Sequence, residues 1–316
     1  MKKLLQAVAL TVALFLSTNP LFAQGTGVEW YSLNQEVKTL YQKGEYARAV
    51  VVAKKALKLA ESNAGVNHFF VATSLNNLAE LYKTQGRYAQ AEPLYKRSLA
   101  IAEKALGPDN TEAATVLNNL AELYFTQRRY EEAEPLYKRS LAILEKDLGP
   151  DHPDVAQCLN GLAQLCVRHG QYGQAEPLYK RSLAIREKAL GPNNPEVATV
   201  LYNLAGLYYT QEQYAQAEPL YKRALAIREK ALGPDHPDVA QCLNSLAMLY
   251  GRQGQYALSE SFFKRALAIR EKALGPKHPE VATTLENFAS LYRATKREKE
   301  AVAMEKRAAV IRAIKR

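Results

Sequence analysis

Between Leu75 and Leu99 the apolar residues Leu75, Leu78, Ala79 and Tyr82 fall at i, i+3, i+4 and i+7, the spacing of one stripe along a helix. Gly86 interrupts that stripe. A second runs through Tyr88, Ala91, Tyr95, Ser98 and Leu99 and continues to Ile101 and Leu106, so the pattern predicts two antiparallel helices. The pair then returns with Leu117, Leu159, Leu201, Leu243 and Leu285 in the place of Leu75, at a constant period of 42 residues. A fixed period of this size marks a solenoid, in which each unit buries its apolar stripe only against its neighbours. Small residues recur where two helices must approach closely, as at Ala79, Ala121 and Ala163 in the first helix and Ala91, Ala133 and Ala175 in the second.

Each unit carries its own punctuation. In Leu148–Asp154 a glycine suited to closing a helix precedes Pro150, and Pro153 with Asp154 suits the first turn of the next helix. Arg128, Glu212 and Lys296 stand where other units have the turn glycine, so a positive φ there would cost about 1 kcal/mol each. The repeats are expected at 29–70, 71–112, 113–154, 155–196, 197–238, 239–280 and 281–316, in one domain spanning 24–316. The first is worn, with Glu36 in a leucine column, and the last is charged through Glu298 and Glu305, as terminal units that lack a neighbour should be.

The pattern Leu-x-x-Leu-Ala-x-x-Tyr, then Gly-x-Tyr-x-x-Ala, then Ser or Ala before Leu, resembles the tetratricopeptide repeat over nearly the whole chain beyond residue 28. The 42-residue spacing, with NNLA, AEPLYKRSLAI and LGPDHPDVA, is similar to the repeats of kinesin light chains and their bacterial relatives. The resemblance implies an all-α, right-handed superhelical solenoid of antiparallel helix pairs that binds a protein or peptide in its concave groove.

Composition narrows the chemistry. With 47% hydrophobic and 23% charged residues the chain is globular, and its formal charge of +10 comes mostly from a Lys-Arg pair repeated on every second helix. Glu92 precedes Lys96 by four residues, a spacing that favours ion pairing, and a stripe so interleaved with Glu makes a poor track for nucleic acid. His68, His152, His236 and His278 share one position, but equivalent atoms in stacked helical layers lie roughly 10 Å apart, too far to share a metal. Cys158, Cys166 and Cys242 lack disulfide spacing and read as free thiols, with Cys166 filling a tyrosine column. Serine-elbow, phosphate-loop, dinucleotide and zinc-protease motifs are absent from the sequence, so neither an enzyme nor a cofactor is expected.

The residues that packing leaves over lie on the inner side of the first helices. Asn77, Asn119, Asn203 and Asn287 form one column, broken by Gly161 and Ser245. Asn76, Asn118, Asn160 and Asn244 form a second, interrupted by Tyr202 and Glu286. Amides one repeat apart could hold an extended peptide backbone, since each offers donor and acceptor; they would equally tie one helix to the next. Tyr202 and Tyr209, seven apart, with Phe125 in the column of Tyr209, offer an aromatic anchor or scattered surface rings. Charge divides between Glu80 and Glu122 in the N-terminal half and Arg168, Arg252 and Arg293 in the C-terminal half.

Residues 1–23 read as an export signal: Lys2-Lys3, an apolar run from Leu4 to Leu16, then Leu21-Phe22-Ala23. The run is too short to span a bilayer comfortably. A periplasmic or secreted peptide-binding scaffold is therefore expected, with a cargo adaptor of kinesin light chain type or a self-assembling structural solenoid as the alternatives.

Overall fold

The computed structural model describes residues 26–314, so the export signal expected at 1–23 lies outside the described residues. Among the described residues every regular element is a helix: α1 Thr26–Gln42, α2 Tyr46–Ala64, α3 Phe69–Thr84, α4 Tyr88–Leu106, α5 Thr111–Thr126, α6 Tyr130–Leu148, α7 Pro153–Arg168, α8 Tyr172–Leu190, α9 Pro195–Thr210, α10 Tyr214–Leu232, α11 Pro237–Arg252, α12 Tyr256–Leu274, α13 Pro279–Ala294 and α14 Glu298–Ala313. Odd-numbered helices are the first of each pair and even-numbered the second. The described residues form two compact units, one ending at Leu165 and the other beginning at Cys166. Each is a stack of helix hairpins.

The predicted punctuation holds. Arg128, Glu212 and Lys296 adopt φ of 62°, 59° and 59°, the left-handed conformation that glycine takes at the same turn elsewhere, for example Gly86 at 72°. Each first helix from α3 on opens at one column, His68, Asn110, His152, Asn194, His236 and His278. The histidines turn out to be helix caps. His68, His152, His236 and His278 accept the backbone N–H two residues on through Nδ1, at 3.2, 3.3, 3.1 and 3.2 Å. Asn194 accepts through its amide oxygen at 2.9 Å, and Asn110 accepts from Ala113 at 2.8 Å. Imidazole and amide are thus interchangeable here because either supplies one acceptor to an orphan N–H. Burial lowers the His68 pKa, which favours the neutral ring that this bond needs.

The core of each unit is built from the small and large columns that the period lays out. Leu75, Leu117 and Leu159 are fully buried in the first unit and Leu201, Leu243 and Leu285 in the second, each next to a buried alanine four residues on. The worn first repeat is still docked: Trp30 stacks on Phe70 with ring centroids 4.2 Å apart and donates Nε1–H to Ser74 Oγ at 2.8 Å. Cys158 and Cys242 are buried free thiols, pushed up to about 11 by burial, and Cys166 is a half-buried one.

Candidate functional site

The basic pairs of the second helices are spent on the protein itself. Lys96, Lys138, Lys180, Lys222 and Lys264 each reach the Glu four residues before, at 2.7, 2.6, 2.7, 2.7 and 2.8 Å. The arginines pair one repeat back: Arg97 to Glu61 and Arg139 to Glu103 at 2.7 Å, Arg223 to Glu187 and Arg265 to Glu229 at 2.6 Å, and Arg307 to Glu271. Glu92 also accepts from Arg129 and from Tyr124, and the Arg129 hydrogen bond above all holds its carboxyl down to about 2. Most of these cations are thus paired within the chain.

On the first-helix side of the first unit, the asparagine columns meet in rungs. Asn77 donates to Asn34 at 2.8 Å and Asn119 to Asn76 at 3.0 Å, joining consecutive first helices. Asn76 and Asn118 are buried, and Asn118 also accepts from the Cys158 thiol at 3.3 Å. Asn160 lies half-buried on α7. The break at Gly161 has a steric cause, because a Cβ there would lie 2.5 Å from the ring of buried Tyr137. Lys83 bridges Glu80 and Glu122, both at 2.8 Å, and Tyr95 donates to Glu80 at 2.7 Å. Burial alone would lower the Lys83 pKa; the two carboxylates outweigh it and raise it. The acidic half of the inner face is therefore closed on an internal cation. Phe125 packs on Tyr130 with centroids 5.4 Å apart.

In the second unit the same columns are arranged differently. Asn287 donates to buried Asn244 at 3.3 Å, and where the columns carry Tyr202 and Ser245 the two hydroxyls make the rung instead, 2.9 Å apart. Tyr202 is held by Tyr221, 5.4 Å away, and by the Arg228 guanidinium, 5.1 Å from its ring centroid. Tyr209 packs 5.7 Å from Tyr214, and its hydroxyl beside Arg252 raises the pKa of that guanidinium. Asn203 is half-buried on α9 and Arg168 exposed at the end of α7. Arg293 is committed elsewhere, forking onto Glu305 with both bonds at 2.8 Å and reaching Glu298 at 2.6 Å.

Three of the expected residues converge. Tyr209, Arg252 and Asn287 line a cleft of about 560 Å³ together with Met248, Gly251, Phe263, Ser290 and Leu291. Arg252 is its charged side chain, and no carboxylate lines it. Phe263 replaces the tyrosine of Tyr95 and its equivalents, and Met248 stands in the column of Glu80, so the wall is apolar where the first unit is acidic. Among the described residues no group of His, Cys, Asp or Glu is placed to hold a metal, and no helix is long and apolar enough to cross a membrane.

Sequence reasoning missed a second feature of this unit. Arg186, Arg228 and Arg270 are 9%, 6% and 5% exposed, buried between α8, α10 or α12 and the first helix that follows. Arg186 bonds Glu196 at 2.8 Å; Arg228 donates to the Asp238 carbonyl and to Gln241 Oε1; Arg270 donates to Thr284 Oγ1 at 2.6 Å. The signal was available, since the same column carries Ala60, Ala102 and Leu144 in earlier repeats and is therefore a core column.

A family model described as tetratricopeptide repeat matches residues 32–104, 112–188, 170–230, 196–272 and 243–312. No curated protein matches in sequence. Among solved structures, the chain is similar to a kinesin light chain candidate of Podosopora anserina with nearly identical TPR-like repeats, at 26% identity and a TM-score of 0.55 over 66% of this chain and 98% of that one. It shares its fold with the Rap conjugation gene regulator of the plasmid pLS20 in complex with the Phr* peptide, at 16% identity and a TM-score of 0.67 over 94% of this chain and 77% of that one. A Rap protein complexed with Competence and Sporulation Factor aligns at 15% identity and a TM-score of 0.58, covering 92% and 98%.

Proposed function

Because this chain belongs to the tetratricopeptide repeat family, we propose that it is a non-enzymatic scaffold that holds a peptide or protein segment on the first-helix side of its second unit. The observation that carries this reading is the cleft around Tyr209, Arg252 and Asn287, a concave, mostly apolar site with a few polar groups, of the size at which ligands are bound. Its lining has a guanidinium and no carboxylate, so the bound segment is neutral or acidic there. That two proteins of the same fold are described in complex with the Phr* peptide and with Competence and Sporulation Factor supports the choice of partner class. Asn287, which lines the cleft, spends one N–H on Asn244 and keeps its carbonyl oxygen for a guest.

Panning a random-peptide display library against the chain from residue 24 should enrich a consensus. Enriched peptides, titrated by calorimetry, should bind Tyr209→Ala and Arg252→Ala at least tenfold more weakly than wild type. Failure to enrich, or equal binding by both variants, overturns the reading. We further propose that residues 1–23 direct export to the periplasm or beyond and are removed after Ala23, which N-terminal sequencing of the chain recovered from the envelope checks; an intact Met1 end there rejects it.

A further inference from the structure

In three repeats an aromatic side chain stands five residues before the tyrosine that opens the second helix and packs on it. Tyr41 lies on Tyr46, Phe125 on Tyr130 and Tyr209 on Tyr214, with centroids 5.5, 5.4 and 5.7 Å apart. Gly251 stands at this position in the sixth repeat, opposite Tyr256. Tyr256 is 42% exposed, whereas the five other tyrosines of its column, two of them following Lys83 and Val167, are half-buried. Gly251 is an ordinary helical residue at the edge of the cleft, and a Cβ built on it would meet only Ser259 Oγ at 3.4 Å and Leu291 Cδ1 at 3.8 Å. The position could hold a larger side chain, and the backbone does not demand glycine. Gly251 lines the cleft without a side chain, and the ring of Tyr256, five residues on, is exposed outside that lining.

We propose that Gly251 makes this cleft a slot for one aromatic side chain of the bound segment, whose ring pairs with Tyr256 as Tyr209 pairs with Tyr214. This rests on the cleft being the binding site and specifies what enters it. The protein supplies the template for its own guest: three repeats fill the place with an aromatic ring, and the surrounding walls, Met248, Phe263 and Leu291, are apolar. The adjoining Arg252 favours a ring with an acceptor beside it.

The test uses the chain from residue 24 with its methionine methyls 13C-labelled; Met248 lines the cleft and Met304, half-buried outside that lining, is the internal reference. p-Cresol, the tyrosine side chain as a free molecule, should shift the Met248 signal and leave Met304 in place, with isobutanol at least tenfold weaker. Gly251→Phe, which supplies the ring in cis, should lose p-cresol at least tenfold, while Gly251→Ala keeps it. Tyr256→Ala, an exposed change that leaves folding intact, should weaken p-cresol about three- to tenfold, the range of one aromatic pair. A Met248 signal that p-cresol never moves, equal response to isobutanol, or unchanged binding in Gly251→Phe or Tyr256→Ala overturns the slot. Display peptides that bind Gly251→Phe like wild type would remove the slot and leave the wider reading; p-cresol binding without any enriched peptide would do the reverse.

Discussion

Lys83 in the first unit and Arg270 in the second are both buried cations, yet they sit on different helices of the repeat. Lys83 lies on a first helix and ties Glu80 to Glu122 across the inner side, where it closes the acidic columns on themselves. Arg270 lies on a second helix and reaches the next repeat through Thr284 and Glu280, while the inner side of that unit is left with Met248, Phe263 and an exposed Arg252. One backbone thus carries two arrangements. Where the polar atoms are satisfied internally the inner side has little left for a guest; where the charges are moved behind it, an apolar cleft with a cationic rim remains.

The two glycines of the inner columns give the sharpest way to break that contrast. Gly161→Ala in the first unit forces a Cβ into Tyr137, and overpacking against a buried ring outweighs the helix propensity gained, for a net loss of about 2 kcal/mol in urea unfolding. Gly206→Ala in the second unit meets only the Tyr221 hydroxyl at 3.6 Å and should gain about 0.5 kcal/mol by the same measurement. Equal effects would show that the two units do not differ as described.

Lys83→Met should come next. It leaves two carboxylates facing one another, but Glu122 is half-exposed and water screens it, so the loss should be about 1.5 kcal/mol. Arg270→Leu copies the first unit's Leu144 into the second; replacing a buried cation by an apolar side chain of similar volume should change stability by less than about 1.5 kcal/mol. A larger loss would mean that the buried arginines hold the second unit together.

The smallest effect concerns pH. The folded pKa of His68 is lowered, so the stability it brings is full above its unfolded value near 6.5 and is lost as pH falls through the folded pKa. His68→Asn, which copies the cap of the next repeat, should flatten the decline of Tm between pH 7 and 5. A second decline, below the ordinary glutamate range near 4.3 and extending to about 2 where Glu92 titrates in the folded chain, should persist in that variant. The depressed carboxylate stabilises only while it is ionised.

Much of this was legible beforehand for a local reason. A stripe at i, i+3, i+4, i+7 fixes which side of a helix is buried, a missing turn glycine flags a strained residue, and Glu before Lys at four residues fixes an ion pair; each depends on neighbours in sequence. The asparagine columns were visible too, as were Tyr209, Arg252 and Asn287 as inner residues. That Asn119 bonds Asn76, that Tyr202 rests on Arg228, and that Arg293 is taken by Glu305 were not, since each partner comes from another helix.

The 42-residue period, the helix pairs, their caps and the columns that face inward were determined by the sequence itself, because a repeat that contacts only its neighbours encodes its packing in its own short pattern. Which polar side chains in those columns are spent on each other, which arginines are buried, and that Gly251 lines a cleft while Tyr256 stays exposed were decided only by the tertiary structure. The reason is geometric: a column states which side chains share a face, while satisfaction of a donor or the presence of a cleft depends on distances between atoms that the chain brings together only when the helices are stacked.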